Sequence, residues 1–404
     1  AWGTIPSLTR GDFFCYLVKI MPIILFDNKF RHQLYPFTHT RAVGTMRSGI
    51  FTPQERWEKI TSDEVQIHTT KTVQPLYGFP HIHANTLWID ASLILNSALI
   101  SQIITLQVGE CMYDNTGFIA GVGATNDIND YASPTKLEEQ QRFQYASDLI
   151  AMNDAQLRFD YDMITAGKKS ALIPDTCTAT HKDQIFIEEG AILLHCHLNA
   201  STGPIYIASG AEIQEGSSIR GPFYLGKNAC VKMNTVVYGA TTIGPKSIIG
   251  GEVKNSILIG YSNKAHHGYL GDSVIGEWCN LGAGTSNSNV KNTGGPISVW
   301  DESSNANRYV GNKMGVYMGD YVKTAINTSI TTGATIGVGA NVFCTGLTPN
   351  MIPHFSWGID NTTYQIDKLI EDTANWKNFK NEPFTDIEKQ LIRSTFEALK
   401  NKSL

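Results

Sequence analysis

The chain has 404 residues, a formal net charge of −5, and 17% charged and 42% hydrophobic residues. That length allows two or three domains with a sizeable core, and the negative charge gives a nucleic-acid partner no footing. No apolar run is long enough to cross a bilayer, so no membrane partner is expected. The seven scattered cysteines show neither a CxxC pair nor a zinc spacing and read as reduced thiols of a cytoplasmic protein.

Residues 1–20 read as an extension. Met21 then opens Pro22-Ile-Ile-Leu-Phe-Asp, a good buried first strand, and a weak signal peptide is the lesser alternative for what precedes it. Residues 21–175 have the pattern of an α/β domain. Ile23-Ile-Leu-Phe predicts a strand, and Asp27 to Thr40 an irregular polar loop. Glu55 to Ile60 predicts a helix opened by Thr52-Pro53. Leu87-Trp-Ile predicts a second strand ending at Asp90, Leu95–Leu106 a helix, Gly117–Gly121 a strand or turn, and 136–166 a helix stopped by Gly167.

From 207 to 249 an aliphatic residue returns every six positions: Ile207, Ile213, Ile219, Leu225, Val231, Val237, Ile243, Ile249. Six is neither the helical period nor the strand period of two. It is the spacing of a hexapeptide-repeat parallel β-helix, in which three hexads make one triangular coil. Ile207 then stacks on Leu225 and Ile243, and no coil buries its apolar face alone. Gly210, Gly216, Asn228 and Asn234 fall at tight corners that need positive φ. A chance run of sandwich strands is the alternative, and eight consecutive matches argue against it. The repeat begins near Ile185. It slips after Ile249, which suggests an enlarged turn at 250–256, and breaks over 287–309, an Asn/Ser/Gly-rich stretch read as a long loop. It returns at Val310 and runs to Val342. After Pro349 the pattern is helical, and a helical tail is expected to cap the open end of the coil stack.

Ser262 to Gly276 places His266 and His267 in an exposed, glycine-flanked turn. A neutral imidazole can accept a proton from an attacking amine or hydroxyl, and Lys264 suits an anion such as a sugar phosphate. Leu281-Gly-Ala-Gly-Thr offers small residues and backbone N–H groups beside which a thin pantetheine arm fits. An isolated histidine pair is more often a simple turn feature, so its context decides.

That context resembles the acetyltransferase domain of the bifunctional enzyme that makes UDP-N-acetylglucosamine. The enzyme carries Lys-Ala-x-His-Leu-x-Tyr-x-Gly-Asp-x-x-Ile-Gly, then Asn-Ile-Gly-Ala-Gly-Thr. Aligned on Gly271-Asp272, the catalytic histidine falls on His266 and the tyrosine on Tyr269, with His267 a weaker candidate because this chain is one residue shorter after Lys264. Ser201-Thr-Gly-Pro-Ile-Tyr-Ile, Ile219-Arg-Gly-Pro-Phe, Tyr238-Gly-Ala-Thr-Thr-Ile-Gly-Pro and Gly276-Glu-Trp-Cys-Asn-Leu-Gly-Ala resemble a bacterial sugar-nucleotidyltransferase group with a shortened N-terminal domain, over essentially residues 21–400. The resemblance implies acceptor binding by Asn263, Lys264, Asn280, Asn287 and Asn289. It implies acetyl-CoA binding by Gly282, Ala283, Gly284, Thr285 and Lys323, and a homotrimer with sites between subunits, loop 287–309 reaching a neighbour.

Nucleotidyltransferases of this superfamily open with a strand and a Gly-rich loop ending in Thr-Arg-Leu-x-Pro-Leu-Thr, whose amides cradle phosphates. Here Leu34-Tyr-Pro-Phe-Thr matches, the glycines are absent, and Gln33 stands where the arginine belongs; Arg31, Arg41 and Arg47 are left to supply charge. Asp90 resembles the strand-end aspartate that holds Mg²⁺, though an aspartate capping the next helix reads nearly as well. The expected architecture is therefore a reduced α/β nucleotidyltransferase-like domain (21–175), a left-handed β-helix acyltransferase-like domain (185–348) and a helical C-terminal cap (349–404). The expected substrates are a sugar 1-phosphate, a nucleoside triphosphate and acetyl-CoA. Nucleotidyl transfer alone, with the β-helix as a trimerising scaffold, and a non-enzymatic sugar-nucleotide-binding module are the alternatives.

Overall fold

The computed structural model describes residues 21–360 and 362–400, so the reading of 1–20 as an extension lies outside them. The N-terminal sheet has strands β1 (Ile23–Phe26), β2 (Val65–His68), β3 (Leu87–Asp90), β4 (Glu110–Asp114), β5 (Gly117–Val122) and β6 (Ser133–Lys136), in the order β2-β1-β3-β5-β4-β6. β1 pairs in parallel with β2 and β3. Both β1 and β3 are fully buried, which is why they read as unbroken apolar runs. Helices α1 (Pro53–Thr61), α2 (Ser97–Ile104) and α3 (Ala146–Thr165) complete the domain. The α1 start is as expected: Thr52 and Glu55 form a reciprocal capping box, worth about 1 kcal/mol.

The predicted helix over 136–166 begins only at Ala146. Residues 141–143 are held extended instead: Ile94 N donates to Gln141 O, Phe143 N donates to Ser92 O, and Arg142 bridges to Leu93. Tertiary pairing overrides helical pattern there, and Phe143 enters the core.

From Thr178 to Ile352, short parallel strands stack on three faces around a continuous aliphatic core. The expected columns form: Ile207 on Leu225 on Ile243, and Ile213 on Val231 on Ile249. Gly210, Gly216, Asn228 and Asn234 all have positive φ. The slip after Ile249 has the opposite sign from the expectation. Glu252 pairs with Val236, sixteen residues back, and Asn263 with Ile248, fifteen back, where regular coils step eighteen, as from Ser218 to Val236. The turn is contracted, and Gly250 and Gly251 permit it. A Cβ on Gly250 would lie 2.4 Å from Ala265 O, and Gly251 has φ +75°.

Loop 287–309 also differs. It contains an antiparallel hairpin, Ile297–Asp301 with Ala306–Gly311, that folds back on its own chain. Ile297 and Val299 join the N-terminal core, and Arg308 lies over the Tyr145 ring at 3.8 Å. Val310 does not return the chain to the hexads but closes this hairpin; the inward series resumes at Val316.

One face of the coil stack is covered by the N-terminal domain. Leu149 and Ile150 of α3 pack with Ile257, Ile259, Val274 and Tyr317, while Leu157, Tyr161 and Ile164 meet Tyr206 and Tyr224. Helices α4 (Ile366–Phe379) and α5 (Asp386–Leu399) run along a corner of the stack rather than only closing its end. They bury Trp278, Tyr321, Val338 and Phe355, and Lys246 reaches Glu382 at 2.5 Å. No helix among the described residues is long and apolar enough to cross a membrane.

Candidate functional site

The coil stack gathers one group of the expected residues at one corner. His266 and His267 are exposed, and neither imidazole has a hydrogen-bond partner among the described residues. The next coil lies directly on them: Gly284 N donates to His267 O at 3.1 Å, and a Cβ on Gly268 would strike Thr285 O at 2.1 Å. Asn289 donates to the Tyr269 hydroxyl at 3.0 Å and to Asp272. Burial, and then Asp272, push the Tyr269 phenol up, so it stays neutral and can donate. Asn287 is buried and braces the Gly271 backbone from both sides, at 2.9 and 3.0 Å.

Several expected ligand groups are already spent. Lys264 sits in an inward column on Ile249, is 1% exposed, and donates to Gly250 O at 2.9 Å and to His266 O. Burial lowers its pKa to about 8. Its ammonium therefore props the histidine turn from beneath instead of facing an incoming phosphate. Gly282 N and Gly284 N donate to Thr324 O and His267 O, and Thr285 Oγ1 contacts Thr324 Oγ1. Asn263, Asn280 and Lys323 form a column on the adjoining face, where Lys380 of the tail donates to Asn263 at 2.9 Å. Burial holds Lys323 down to about 8, and Ala283 takes a bond from Asn327 N.

The N-terminal residues lie elsewhere. A cavity of about 230 Å³ opens beyond the carboxyl ends of β1 and β3, lined by Asn28, Lys29, Asp90, Thr116 and Asn126 among others. That is where the sheet order switches direction around β1, the usual ligand crevice of an open α/β sheet. Both Asp90 oxygens already accept bonds, from Asn28, Ser92 and Arg142, and Arg142 also holds Asp114 at 2.6 Å. Mg²⁺ would have to displace these donors, so the donor set as arranged does not fit a resident ion. The loop arginines are likewise paired inside the protein. Arg31 binds Asp27, Arg41 binds Asp320 at 2.7 Å, and Arg47 binds Glu55 at 2.8 Å. None is left unpaired to meet an anionic ligand, which departs from the expectation for Arg41 and Arg47.

One further cluster had no signal in the sequence. Glu302, at the hairpin tip, accepts from His39 and His354 at 3.0 Å each, and the three groups lie close enough for a metal. The tautomer argues otherwise. Val338 N donates to His354 Nδ1 at 2.9 Å, so in the neutral ring Nε2 carries the proton and has no lone pair to give. The cluster is a hydrogen-bonded clamp joining hairpin, N-terminal loop and last coil. Burial holds His39 down to about 4. For Glu302 burial works upward, but bonds from His354 and His39 outweigh it and hold the carboxyl below its usual range. Both folded values are depressed, so their stabilisation is present at neutral pH and is lost on acidification. For His39 the loss spans about 6.5 down to about 4, with Glu302 following lower. The melting temperature should therefore fall through that window, and His39→Gln should flatten the fall. An unchanged slope in the variant would remove His39 from the account.

A sheet with its crevice at the β1/β3 ends, joined to a hexapeptide coil stack, defines the class: a nucleotidyltransferase-type domain carrying a β-helix. Residues 23–169 match the family model described as sugar nucleotidyl transferase. The bifunctional protein GlmU of Methanococcus aeolicus is 38% identical over 71 residues, 18% of this chain and 16% of its own length. The GlmU protein of Rippkaea orientalis is 27% identical over 195 residues, 44% of this chain and 40% of its own. The chain thus spans less than half the length of these curated relatives. The polySia-specific acetyltransferase NeuO superposes with a TM-score of 0.28 and 14% identity, over 52% of this chain and 99% of its own, a likeness too slight to carry an argument.

Proposed function

We propose that the chain serves sugar-nucleotide synthesis: acyl transfer from acetyl-CoA to the amine of an amino-sugar 1-phosphate at the His266 corner, and nucleotidyl transfer in the N-terminal domain to a UDP-N-acetylglucosamine-like product. The observation that carries it is the pair of exposed, unpartnered imidazoles in the turn that leads into Tyr269, whose hydroxyl Asn289 of the next coil holds. The amine nitrogen attacks the thioester carbonyl while His266 accepts the amine proton. The carbon–sulfur bond then breaks, and the proton passes to the departing thiolate. Tyr269, oriented by Asn289, offers its hydroxyl to the acceptor sugar. A homotrimer would place a neighbouring coil stack over this open corner. The resemblance of the bracing residues to the GlmU pattern, together with the family match, supports the pairing of the two activities.

One observation favours a second reading for the N-terminal domain, binding of a sugar nucleotide without turnover: every Asp90 oxygen is engaged. Nucleotidyl transfer of this kind uses Mg²⁺.

The first test follows free thiol from acetyl-CoA with glucosamine 1-phosphate. His266→Ala should lower the rate about 100- to 10,000-fold and leave the melting temperature unchanged, since the ring is exposed. No thiol release by wild type, or full activity in both His266→Ala and His267→Ala, sinks acyl transfer at this corner. Pyrophosphate release across sugar phosphates and nucleotides, with Mg²⁺ present, separates transfer from mere binding in the other domain.

A further inference from the structure

A second cavity, of about 490 Å³, lies on a different corner of the coil stack from His266. Its walls come from three segments far apart in sequence: Thr40 and Arg41 of the loop after β1, the coil residues Tyr261, Glu277, Trp278, Asp320 and Tyr321, and the tail residues Lys377, Glu382 and Glu388. Its volume falls in the range of about 300–1,000 Å³ common for small-molecule sites.

The charges inside do not cancel. Asp320 takes both short bonds from Arg41, at 2.7 Å each, and a third from Thr40 at 2.5 Å. Lys377 is committed to Glu388, and Lys246 to Glu382. Glu277 has only the far side of Arg41, at 3.3 Å, an arginine already given to Asp320. Its side chain is 30% exposed, so one carboxylate remains to be matched. Two hydroxyls are also unmatched. Tyr321 is 7% exposed and lines the cavity, yet its hydroxyl has no partner among the described residues, and the Tyr261 hydroxyl has none either. The wall between them is aromatic, with Tyr261 stacked on Trp278 at 4.6 Å.

A spare carboxylate, two unpaired phenols and an aromatic wall, whose Trp278 ring already carries the Lys377 ammonium, complement one class of ligand: an amine that also carries hydroxyls and an apolar face. We infer that this cavity binds a hydroxylated primary amine of about ring size, with its ammonium on Glu277 and its hydroxyls on Tyr261 and Tyr321. Because loop, coil and tail each supply a wall, the occupant ties the three together and stabilises the docked tail by mass action. The inference stands on the cavity alone and does not depend on acyl or nucleotidyl transfer.

Glucosamine and glucose are the probes, since they differ by one amine in place of one hydroxyl. Calorimetric titration of the full chain at neutral pH should give saturable binding of glucosamine, with glucose weaker by about tenfold or more. Glu277→Gln should erase that preference, and Tyr321→Phe, which keeps the ring, should weaken both sugars. Equal binding of the two sugars, no saturable binding of either, or a Glu277→Gln protein that still prefers the amine each overturns the assignment.

Discussion

Asp160→Ala is expected to cost the fold about 3–5 kcal/mol, a large share of the margin of an ordinary domain. Asp160 lies on α3 and is completely buried. It takes Arg56 Nε at 2.7 Å and Arg56 Nη2 at 2.9 Å, and the amides of Ile50 and Phe51 at 2.9 and 3.2 Å. Removing it leaves a guanidinium at 1% exposure with no counter-charge and two amides with no acceptor. The damage should not stay local. The adjoining Gly49 carbonyl accepts from Thr242 on the coil stack, and Asn153, two turns earlier on α3, donates to Ala240 O at 2.8 Å. The same helix therefore seats the domain on the β-helix. Urea unfolding of Asp160→Ala should show an early transition for the N-terminal domain. The double variant Arg56→Met, Asp160→Leu should recover part of the loss, because no unpaired charge remains. A double variant less stable than the single one, or a single one as stable as wild type, would show that this ion pair does not hold the joint.

The coil stack was readable because its physics repeats. Every inward position must be aliphatic, so Ile207 to Ile249 display one requirement eight times, and the corner residues Gly210 and Asn228 display another. The N-terminal sheet was readable only where strands are buried on both sides. β1 and β3 show as apolar runs, whereas β6 is exposed at all four residues and its sequence, Ser-Pro-Thr-Lys, carries no strand pattern. β2, Val-Gln-Ile-His, alternates apolar and polar over only four residues, too short a run to stand out in the sequence. The sense of the slip at 250–256 was also hidden: a broken period says that spacing changed, and only the pairing of Asn263 with Ile248 says that residues were lost.

The candidate acyl corner was legible for a related reason. His266, Tyr269, Gly282–Thr285 and Asn289 are near in sequence, and a coil stack turns such nearness into vertical contact. Contacts between the domains leave no such trace. Arg41 meets Asp320 across 279 positions, and His39 meets Glu302 across 263. No local period reports either pair. Arg41 and Arg47 looked available for phosphate because sequence shows their charge without its partner. Lys264 looked exposed because a lysine in an inward column is rare, and only the contracted coil brings two carbonyls within its reach.

That contraction sets the second large expectation. Gly244→Ala should cost about 3 kcal/mol or more, at or beyond the upper end of ordinary overpacking. Gly244 does not need positive φ; it needs space. Thr242 pairs with Ile257, only fifteen residues on, and the shortened coil draws Ile259 over the glycine. A Cβ there would lie 1.9 Å from Ile259 O and 2.5 Å from Ile259 C, backbone atoms that no rotamer can move. The corner one coil earlier is less tight, with the nearest atom to a Cβ on Gly226 at 2.7 Å. Ile259 O also accepts from Arg47 Nε at 3.1 Å, so displacing it pulls on the Arg47–Glu55 pair and on the seat of the N-terminal domain. Gly294→Ala is the matched control: its φ is +65° and nothing lies within 4 Å of its Cβ, so only the left-handed backbone cost of about 1 kcal/mol applies. Chemical denaturation of the two variants should separate them by at least a factor of two in lost stability. Equal losses would mean that the coil above Gly244 yields, and that the shortened turn is slack rather than tightly packed.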